Sequence, residues 1–328
     1  MATSIPARIL ITGCTGFVGG YLLEHCRNRY PQAELFGVTG HASVPTAAPA
    51  MSDIQLMVAD ITQAEEMHQV VARSQPDLIF HLAAQASVAA SWQDPSETLK
   101  VNAGGAIQLL EAVRAAHLMP RIVLVGSGEQ YGMVRPEDNP IREECPFRPA
   151  NPYAVSKAAQ DLYGYQYFVA YGLPILRVRP FNHFGPRQAA TFVVANFARQ
   201  IALIEAGKAE SVLSVGNLQA RRDFLPVEDV VAAYLAVAAQ GQPGEAYNIG
   251  SGQARSISAI LDLLLTLAKI PIQLREDSAR LRPVDVPLLE ADTSRLRVHT
   301  DWQPALPFEV ALQRTLDYWR TEVSAGEG

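Results

Sequence analysis

The segment Ile11-Thr12-Gly13-Cys14-Thr15-Gly16-Phe17-Val18-Gly19-Gly20 constrains this chain more than any other. It closes an apolar run, Arg8–Thr12, and opens a helical pattern, Gly19–Arg29. Glycines 13, 16 and 19 give G-x-x-G-x-x-G, a variant of the dinucleotide-binding turn with one more residue between its first two glycines. The first glycine permits the tight turn, and the second lets backbone N–H groups approach a pyrophosphate. The third lets the helix pack closely on the strand, with its N-terminus facing the anion. Cys14 reads as a small packing residue of this turn. The end of the second apolar run should meet the adenosine ribose. There Val38-Thr39-Gly40-His41 offers neither the acid that favours NAD nor an Arg. His41 is the candidate for a 2′-phosphate, so NADP is expected, with NAD possible. Asp60 ends the third run, placed to meet the adenine amino group or to cap the helix that follows.

Short runs rich in Ile, Val, Leu and Phe alternate with helical patterns over the first 130 residues. The runs are Arg8–Thr12, Ala33–Val38, Ile54–Ala59, Asp77–Ala83 and Arg121–Gly126. The helices between them are Gly19–Arg29, Ala64–Ser74 and Pro95–His117. Pro152–Tyr171 adds a helix and Pro174–Arg179 a sixth strand. Runs apolar throughout suit parallel strands buried on both faces. Repeated βα units predict an α/β fold, a Rossmann-type doubly wound parallel sheet. After Pro180 the pattern changes, with a helix at Phe192–Glu205. Phe224–Ile249 returns to helix plus strand, and Ser251–Gly328 reads as short helices with Pro-rich connections. Two interleaved domains follow: residues 1–180 with 224–250 for the dinucleotide, and 181–223 with 251–328, a smaller α+β unit. The run at 42–50 reads as a surface loop and Ser324–Gly328 as a disordered tail.

Composition narrows the function. A net charge of −6 and a pI near 5.7 speak against nucleic-acid binding. Three scattered Cys are too few for a disulfide framework or a zinc site, so no metal and a cytoplasmic setting are expected. No apolar stretch approaches the roughly 18 residues of a membrane span, and the N-terminal apolar run is too short for a signal peptide. Only four of 27 basic residues are Lys, at 100, 157, 208 and 269.

Tyr153 and Lys157 stand four apart on a helical pattern, hence on one face. An ammonium there would lower the phenol's pKa and could hold the nicotinamide ribose. The fifth strand runs out through Val125-Gly126-Ser127-Gly128-Glu129, which places Ser127 and Glu129 at the rim where open α/β sheets bind ligands. Ser127 there can hydrogen-bond a substrate oxygen or simply cap a turn, and Glu129 can be a solvated loop acid. The presence of Ser127, Tyr153 and Lys157 together argues against a non-enzymatic dinucleotide-binding protein.

With the glycine turn, His81-Leu82-Ala83-Ala84, Asn102 and Arg179-Pro180-Phe181-Asn182, the chain resembles the extended short-chain dehydrogenases/reductases over about residues 8 to 320. It is most similar to the GDP-mannose 4,6-dehydratase branch. Phe181–Pro186, Phe192–Val194, Val215–Asn217, Arg222–Phe224 and Arg282–Pro287 look like the branch's GDP-4-keto-6-deoxy-D-mannose reductases, which form GDP-D-rhamnose. The resemblance implies cofactor contacts from Gly13, Thr15, Gly16, Phe17, Val18 and Gly19 in the turn, and from His41, Asp60 and Ile61 beyond it. Leu82, Ala83, Ala84, Asn102, Tyr153, Lys157 and Phe181 would complete that site. It implies substrate contacts from Gln85, Ser87, Ser127, Glu129 and Asn182. Val193 and Val194 would line the base and ribose pocket, with Asn217 and Asp285 nearby. Arg222 and Arg282 would bind the diphosphate, as guanidinium forks suit phosphate oxygens.

A reductase would use Tyr153 to protonate the C4 alkoxide, with Lys157 tuning it and Ser127 holding the oxygen. A 4,6-dehydratase would use Glu129 as the base at C5, and a 4-epimerase is a third reading. Gly128 stands where the branch's dehydratases usually carry Ser or Asp. Their Arg-rich stretch after the Asn182 slot is here Gln188–Thr191, with one Arg at 187. His183 reads as structural. The resemblance also implies a homodimer through a four-helix bundle, with Ala103, Ala106, Leu110, Ala158, Leu162 and Tyr165 as its expected apolar stripe.

Overall fold

The computed structural model describes residues 5–40, 53–278 and 286–326. His41, Arg282, Asp285 and the 42–50 run lie outside them. Seven parallel strands form the main sheet: β1 (Arg8–Thr12), β2 (Glu34–Thr39), β3 (Ile54–Val58), β4 (Leu78–His81), β5 (Arg121–Val125), β6 (Ile175–Pro180) and β10 (Ala246–Ile249). Their order is β10-β6-β5-β4-β1-β2-β3. The chain adds β2 and β3 on one side of β1, then crosses to build the other side from β4. The crevice at this reversal opens between the carboxyl ends of β1 and β4, where doubly wound sheets bind ligands.

Helices cover both faces. On one, α1 (Phe17–Arg29) and α8 (Val227–Gln240) bury Leu22, Tyr21, Val230 and Tyr234 against Ile9, Ile11 and Val123. On the other, α2 (Ala64–Ser74), α5 (Gly105–Ala115) and α6 (Pro152–Tyr171) bury Met67, Val70, Leu109, Leu110 and Tyr167 against Leu10, Ile79 and Ile122. The inner strands are mostly apolar because both their faces are covered, whereas β3 at the sheet edge leaves Gln55 and Val58 exposed.

The sequence expectation of one helix over Pro95–His117 is corrected. The segment is α4 (Pro95–Leu99), a π-turn at Lys100–Gly104, then α5. Single π-turns inside helices often mark functional positions, and this one carries Asn102. A further helix, α3 (Val88–Gln93), is capped by the Ser87 side chain, which accepts from the Ala90 N–H at 3.2 Å.

A second unit is built on β9 (Arg221–Pro226), which pairs with β7 (Asn182–Phe184), β11 (Ala254–Ser256) and β13 (Leu288–Leu289). Its core packs α7 (Val193–Glu205), α9 (Ile257–Thr266) and α11 (Phe308–Ala325) around Phe184, Phe224 and Leu312. β8 (Val212–Val215) pairs with β12 (Gln273–Glu276), and α10 (Ser294–Thr300) packs beside β10. Among the described residues of 251–328 there are three strands besides helices, and α11 runs 18 residues, through Ser324 and Ala325, where a disordered tail was expected. The strands escaped the sequence pattern because each is two to four residues long, and β12 is exposed at every position. No helix among the described residues is long and apolar enough to cross a membrane.

Candidate active site

The first glycine turn is built by close backbone contact. Gly13 has φ +71°, and a Cβ there would lie 2.8 Å from the Ala83 nitrogen at the end of β4. A Cβ on Gly19 would lie 2.2 Å from the Gly13 carbonyl oxygen. Gly16 differs: a Cβ would meet only that same oxygen, at 3.2 Å. Gly16 is the N-cap of α1, and no side chain closes the helix end. The first-turn N–H groups beside Phe17 and Val18 thus face the crevice uncapped, a cradle for a pyrophosphate. Thr15 bonds Thr39 at the end of β2, hydroxyl to hydroxyl, at 3.1 Å. Cys14 is buried and burial pushes its thiol up to about 11, so it packs and does not react. Asp60 accepts from the Thr62 N–H at 2.9 Å, which with other local bonds holds its carboxyl below the usual range. Its carboxylate closes that turn, while Gln63 at the N-cap of α2 caps no helix N–H and instead donates to Asp60 and Thr62. Ile61 beside it packs against the Gly105 backbone.

The other wall of the crevice is the loop after β4, from Leu82 to Ser87. Asn102, fully buried on the π-turn, accepts from the Gln85 N–H at 2.8 Å and donates to the Gln85 carbonyl at 3.1 Å. It also donates to the Ser156 hydroxyl on α6 at 2.8 Å. One side chain therefore ties the loop to the helix that carries Tyr153 and Lys157. The Gln85 amide folds back onto Ser87 and across to Thr98 of α4, so its polar atoms hold the loop against that helix.

α6 starts at Pro152 with Asn151 as N-cap, whose Oδ1 accepts from the Ala154 N–H at 2.8 Å. Ser127 caps a single 3-10 turn, Gly128–Tyr131. Its hydroxyl accepts from the Glu129 N–H at 3.2 Å, and Gln130 closes the box onto the Ser127 N–H at 3.1 Å. The Ser127 hydroxyl lies close enough to the Tyr153 phenol to favour its ionised form. Glu129 is half-buried next to them, with Asn151 Nδ2 donating to its carboxylate at 3.5 Å.

The sequence expectation of a lowered Tyr153 pKa is corrected. Burial outweighs the Ser127 hydroxyl and pushes the phenol up to about 12, so Tyr153 stays protonated. Lys157 moves the other way, burial lowering its ammonium to about 7. His81 on β4 is fully buried with Nδ1 2.9 Å from the Thr12 hydroxyl. Burial, and then the Lys157 charge, hold it down to about 3.

Sequence reasoning passed over the polar network beneath Ser127. Gln130 donates to Asp161 on α6 at 3.1 Å, and Asp161 is clamped by Arg179 at 2.9 Å and Arg177 at 2.7 Å. Arg179 also donates to the Tyr131 hydroxyl at 2.8 Å, under Phe147 and Tyr131 rings. Only the apolar neighbourhood of Asp161 and Arg179, four after Lys157 and late on β6, hinted that these charges would be paired inside.

The substrate side is mixed. Phe181 is buried, its ring so close to Gly128 that a Cβ there would lie 2.9 Å from it. Asn182 is half-buried at the start of β7, two residues past the end of β6 and opposite Phe224 of β9. His183 holds the Phe181 carbonyl with Nδ1 at 3.1 Å and stacks on Phe17 of the glycine turn, joining the two units. Arg187 pairs with Glu24 at 2.8 Å and lies 3.9 Å over the Tyr21 ring, a second tie to α1. Val193 is half-buried, whereas Val194 is enclosed in the second core. A nucleotide could therefore meet Val194 only through its backbone. Arg222 is buried with one nitrogen donating to the Arg221 carbonyl at 3.0 Å, and Asn217 is exposed on the loop after β8. Among the described residues no group of three His, Cys, Asp or Glu could hold a metal ion.

The family model described as GDP-mannose 4,6 dehydratase matches residues 10–315. The chain is 33% identical to GDP-6-deoxy-D-mannose reductase of Pseudomonas aeruginosa, over 96% of this chain and 98% of that one. It is 30% identical to GDP-mannose 4,6 dehydratase 2 of Arabidopsis thaliana, over 95% of this chain and 87% of that one. Its fold is similar to that of RMD from Pseudomonas aeruginosa complexed with NADPH. The TM-score is 0.82 at 31% identity, over 96% of this chain and 99% of that one. The UDP-glucose 4-epimerase of Thermus thermophilus in complex with NAD is similar at TM-score 0.85 and 27% identity, over 95% and 99%.

Proposed function

The chain belongs to the GDP-mannose 4,6-dehydratase family of extended short-chain dehydrogenases/reductases, and from that premise we propose that it reduces the C4 ketone of GDP-4-keto-6-deoxy-D-mannose to GDP-D-rhamnose. The observation that carries the choice of reaction is the packing of Phe181 on Gly128. No side chain fits at 128 without moving that ring. The site therefore lacks the second polar group beside Glu129 that dehydratases of the branch usually carry for the loss of water. The similarity to a GDP-6-deoxy-D-mannose reductase over nearly the whole of both chains points the same way.

The cradle at Gly16 and the uncapped start of α1 fit the pyrophosphate of NADPH, with NAD as a second cofactor. Bound there, the cofactor supplies a hydride to C4. The rest falls to this chain's own groups. Ser127 stands beside Tyr153 to hold the substrate oxygen, and Tyr153, protonated up to about pH 12, donates the proton that the C4 alkoxide takes up. Lys157, one turn on, supplies positive potential below that phenol. Asn182 and Arg222 are assigned to the sugar and diphosphate, with Arg282 and Asp285 as further expected contacts.

A GDP-mannose 4,6-dehydratase is the second reading, favoured by Glu129, which stands beside Tyr153 and Ser127 where a base for the C5 proton is needed. The two differ in stoichiometry. Reduction consumes one NADPH per keto sugar, leaves GDP-mannose untouched, and tolerates Glu129→Gln with a modest loss. Dehydration consumes GDP-mannose without net NADPH loss, and Glu129→Gln would cost about 10²–10⁴-fold. Conversion of GDP-mannose with no added reductant would overturn the reductase reading.

We also propose the domain division at residues 1–180 with 224–250, and 181–223 with 251–328, in which β9 carries the border. A cytoplasmic homodimer completes the reading. The free thiols of Cys14, Cys26 and Cys145 suit a reducing compartment. The two-fold contact is assigned to α6, whose outer face exposes Val155, Leu162, Tyr165 and Val169.

A further inference from the structure

We infer that Gln160 is a positioning residue for Lys157, its side-chain amide fixing the lysine nitrogen against the Val125 carbonyl at the mouth of β5. Lys157 Nζ donates to the Val125 oxygen at 2.9 Å and to Gln160 Oε1 at 2.9 Å. Gln160 Nε2 donates to the same Val125 oxygen at 3.1 Å. The three groups close a triangle on the last residue of β5, two positions before Ser127. Both side chains are buried, Lys157 to 3% exposure and Gln160 to 1%. The amide orientation follows from the chemistry: an ammonium has only donors, so Gln160 must turn its oxygen to it. Two of the three N–H donors of Lys157 are then committed, and the ammonium can neither rotate nor swing along the crevice.

The charge itself depends on this arrangement. From β4, His81 faces Lys157 as a neutral ring, and its Nε2 has no partner. From the turn after β5, Glu129 faces Tyr153. On α6, Asp161 is next to Gln160 but is spent on Arg177 and Arg179 of β6. No carboxylate pairs with Lys157 among the described residues. Two neutral oxygens hold a buried ammonium that desolvation has already lowered to about 7. Loss of the Gln160 oxygen would favour the neutral amine, and a carboxylate in its place would favour the ammonium.

The inference rests on the assignment of Lys157 to the Tyr153 site, and its main test is independent of any reaction. The chain has four lysines, and Lys100, Lys208 and Lys269 are exposed. Labelling with lysine carrying ¹³C at Cε therefore gives four signals, of which the buried one is identified by its loss in Lys157→Arg. We expect Gln160→Leu to shift the titration of that signal down by about one pH unit or more, and Gln160→Glu to shift it up by a similar amount. In the reductase assay the pH profile of kcat should move in the same two directions, with KM for the nucleotide sugar changed by less than about 3-fold. A merely structural role would leave the Lys157 titration in place in both folded variants. That result, or shifts of the same sign in both, overturns the inference. Gln160→Met, unbranched like glutamine, replaces Gln160→Leu if that variant does not fold. A failed reduction with opposite titration shifts would refute the proposed substrate and leave the Gln160 role standing.

Discussion

A Cβ at Gly16 would meet a single protein atom, the Gly13 oxygen at 3.2 Å, which would have to give by a few tenths of an ångström. The glycine is needed for what approaches from the crevice. We predict that Gly16→Val still folds, with a lowered thermal midpoint, and loses NADPH binding, measured by quenching of protein fluorescence. Retained affinity would move the pyrophosphate elsewhere. Gly13 and Gly19 are the opposite case, where a Cβ would strike backbone, so their replacement should unfold the turn. Tyr153 is the other residue on which the chemistry depends. Tyr153→Phe should lower kcat by about 10²-fold or more with little change in nucleotide-sugar affinity. Turnover surviving within a few-fold would mean that another acid carries the proton. Its phenol was expected to be lowered by Lys157 and is raised by burial instead, because no sequence pattern reports how much water reaches a hydroxyl.

Among the elements, α6 carries the most. Asn151 caps it, Tyr153 lies in its first turn and Lys157 in its second, Gln160 and Asp161 anchor it to β5 and β6, and its last turns reach the surface. Asn151→Ala should remove the bond to the Ala154 N–H and cost about 1 kcal/mol in urea denaturation. A loss of catalysis much larger than the loss of stability would mean that the 3.5 Å contact of Asn151 with Glu129 also matters to the reaction. The helix over Pro95–His117 was legible as helix, yet its π-turn was not. The extra residue serves Asn102, whose partners Gln85 and Ser156 are 17 and 54 residues away in the chain.

For the whole molecule, the expected dimer stripe is corrected. Ala103, Ala106, Leu110 and Ala158 are buried in the chain's own core. Leu162 and Tyr165 alone of that set are exposed. With Val155 and Val169, spaced seven residues from Leu162 on either side, they form one stripe along α6. Leu162→Glu with Val169→Glu should therefore yield folded monomers by analytical ultracentrifugation. An unchanged dimer mass would exclude this face, and a charge at Leu110 would test only the core. The two units are joined on the cofactor side by Phe17 stacked on His183 and by Arg187 on Tyr21 and Glu24. Binding at the glycine turn is thus mechanically close to the loop that follows Asn182.

By itself the sequence determined the alternation of apolar strands and amphipathic helices, hence the doubly wound sheet and the place of its crevice. It also determined the glycine turn and the one-turn spacing of Tyr153 and Lys157. These are local: each depends on residues within a few positions, and period and spacing are enough to read them. Tertiary structure alone decided the rest. It paired Gln160 with Lys157 and Asp161 with Arg179, and set Phe181 on Gly128. It enclosed Val194 and Leu110 where a ligand and a partner had been expected. Each of these depends on which atoms from distant segments share a dry interior. There desolvation and contact distance, which no single stretch of sequence contains, set both charge and shape.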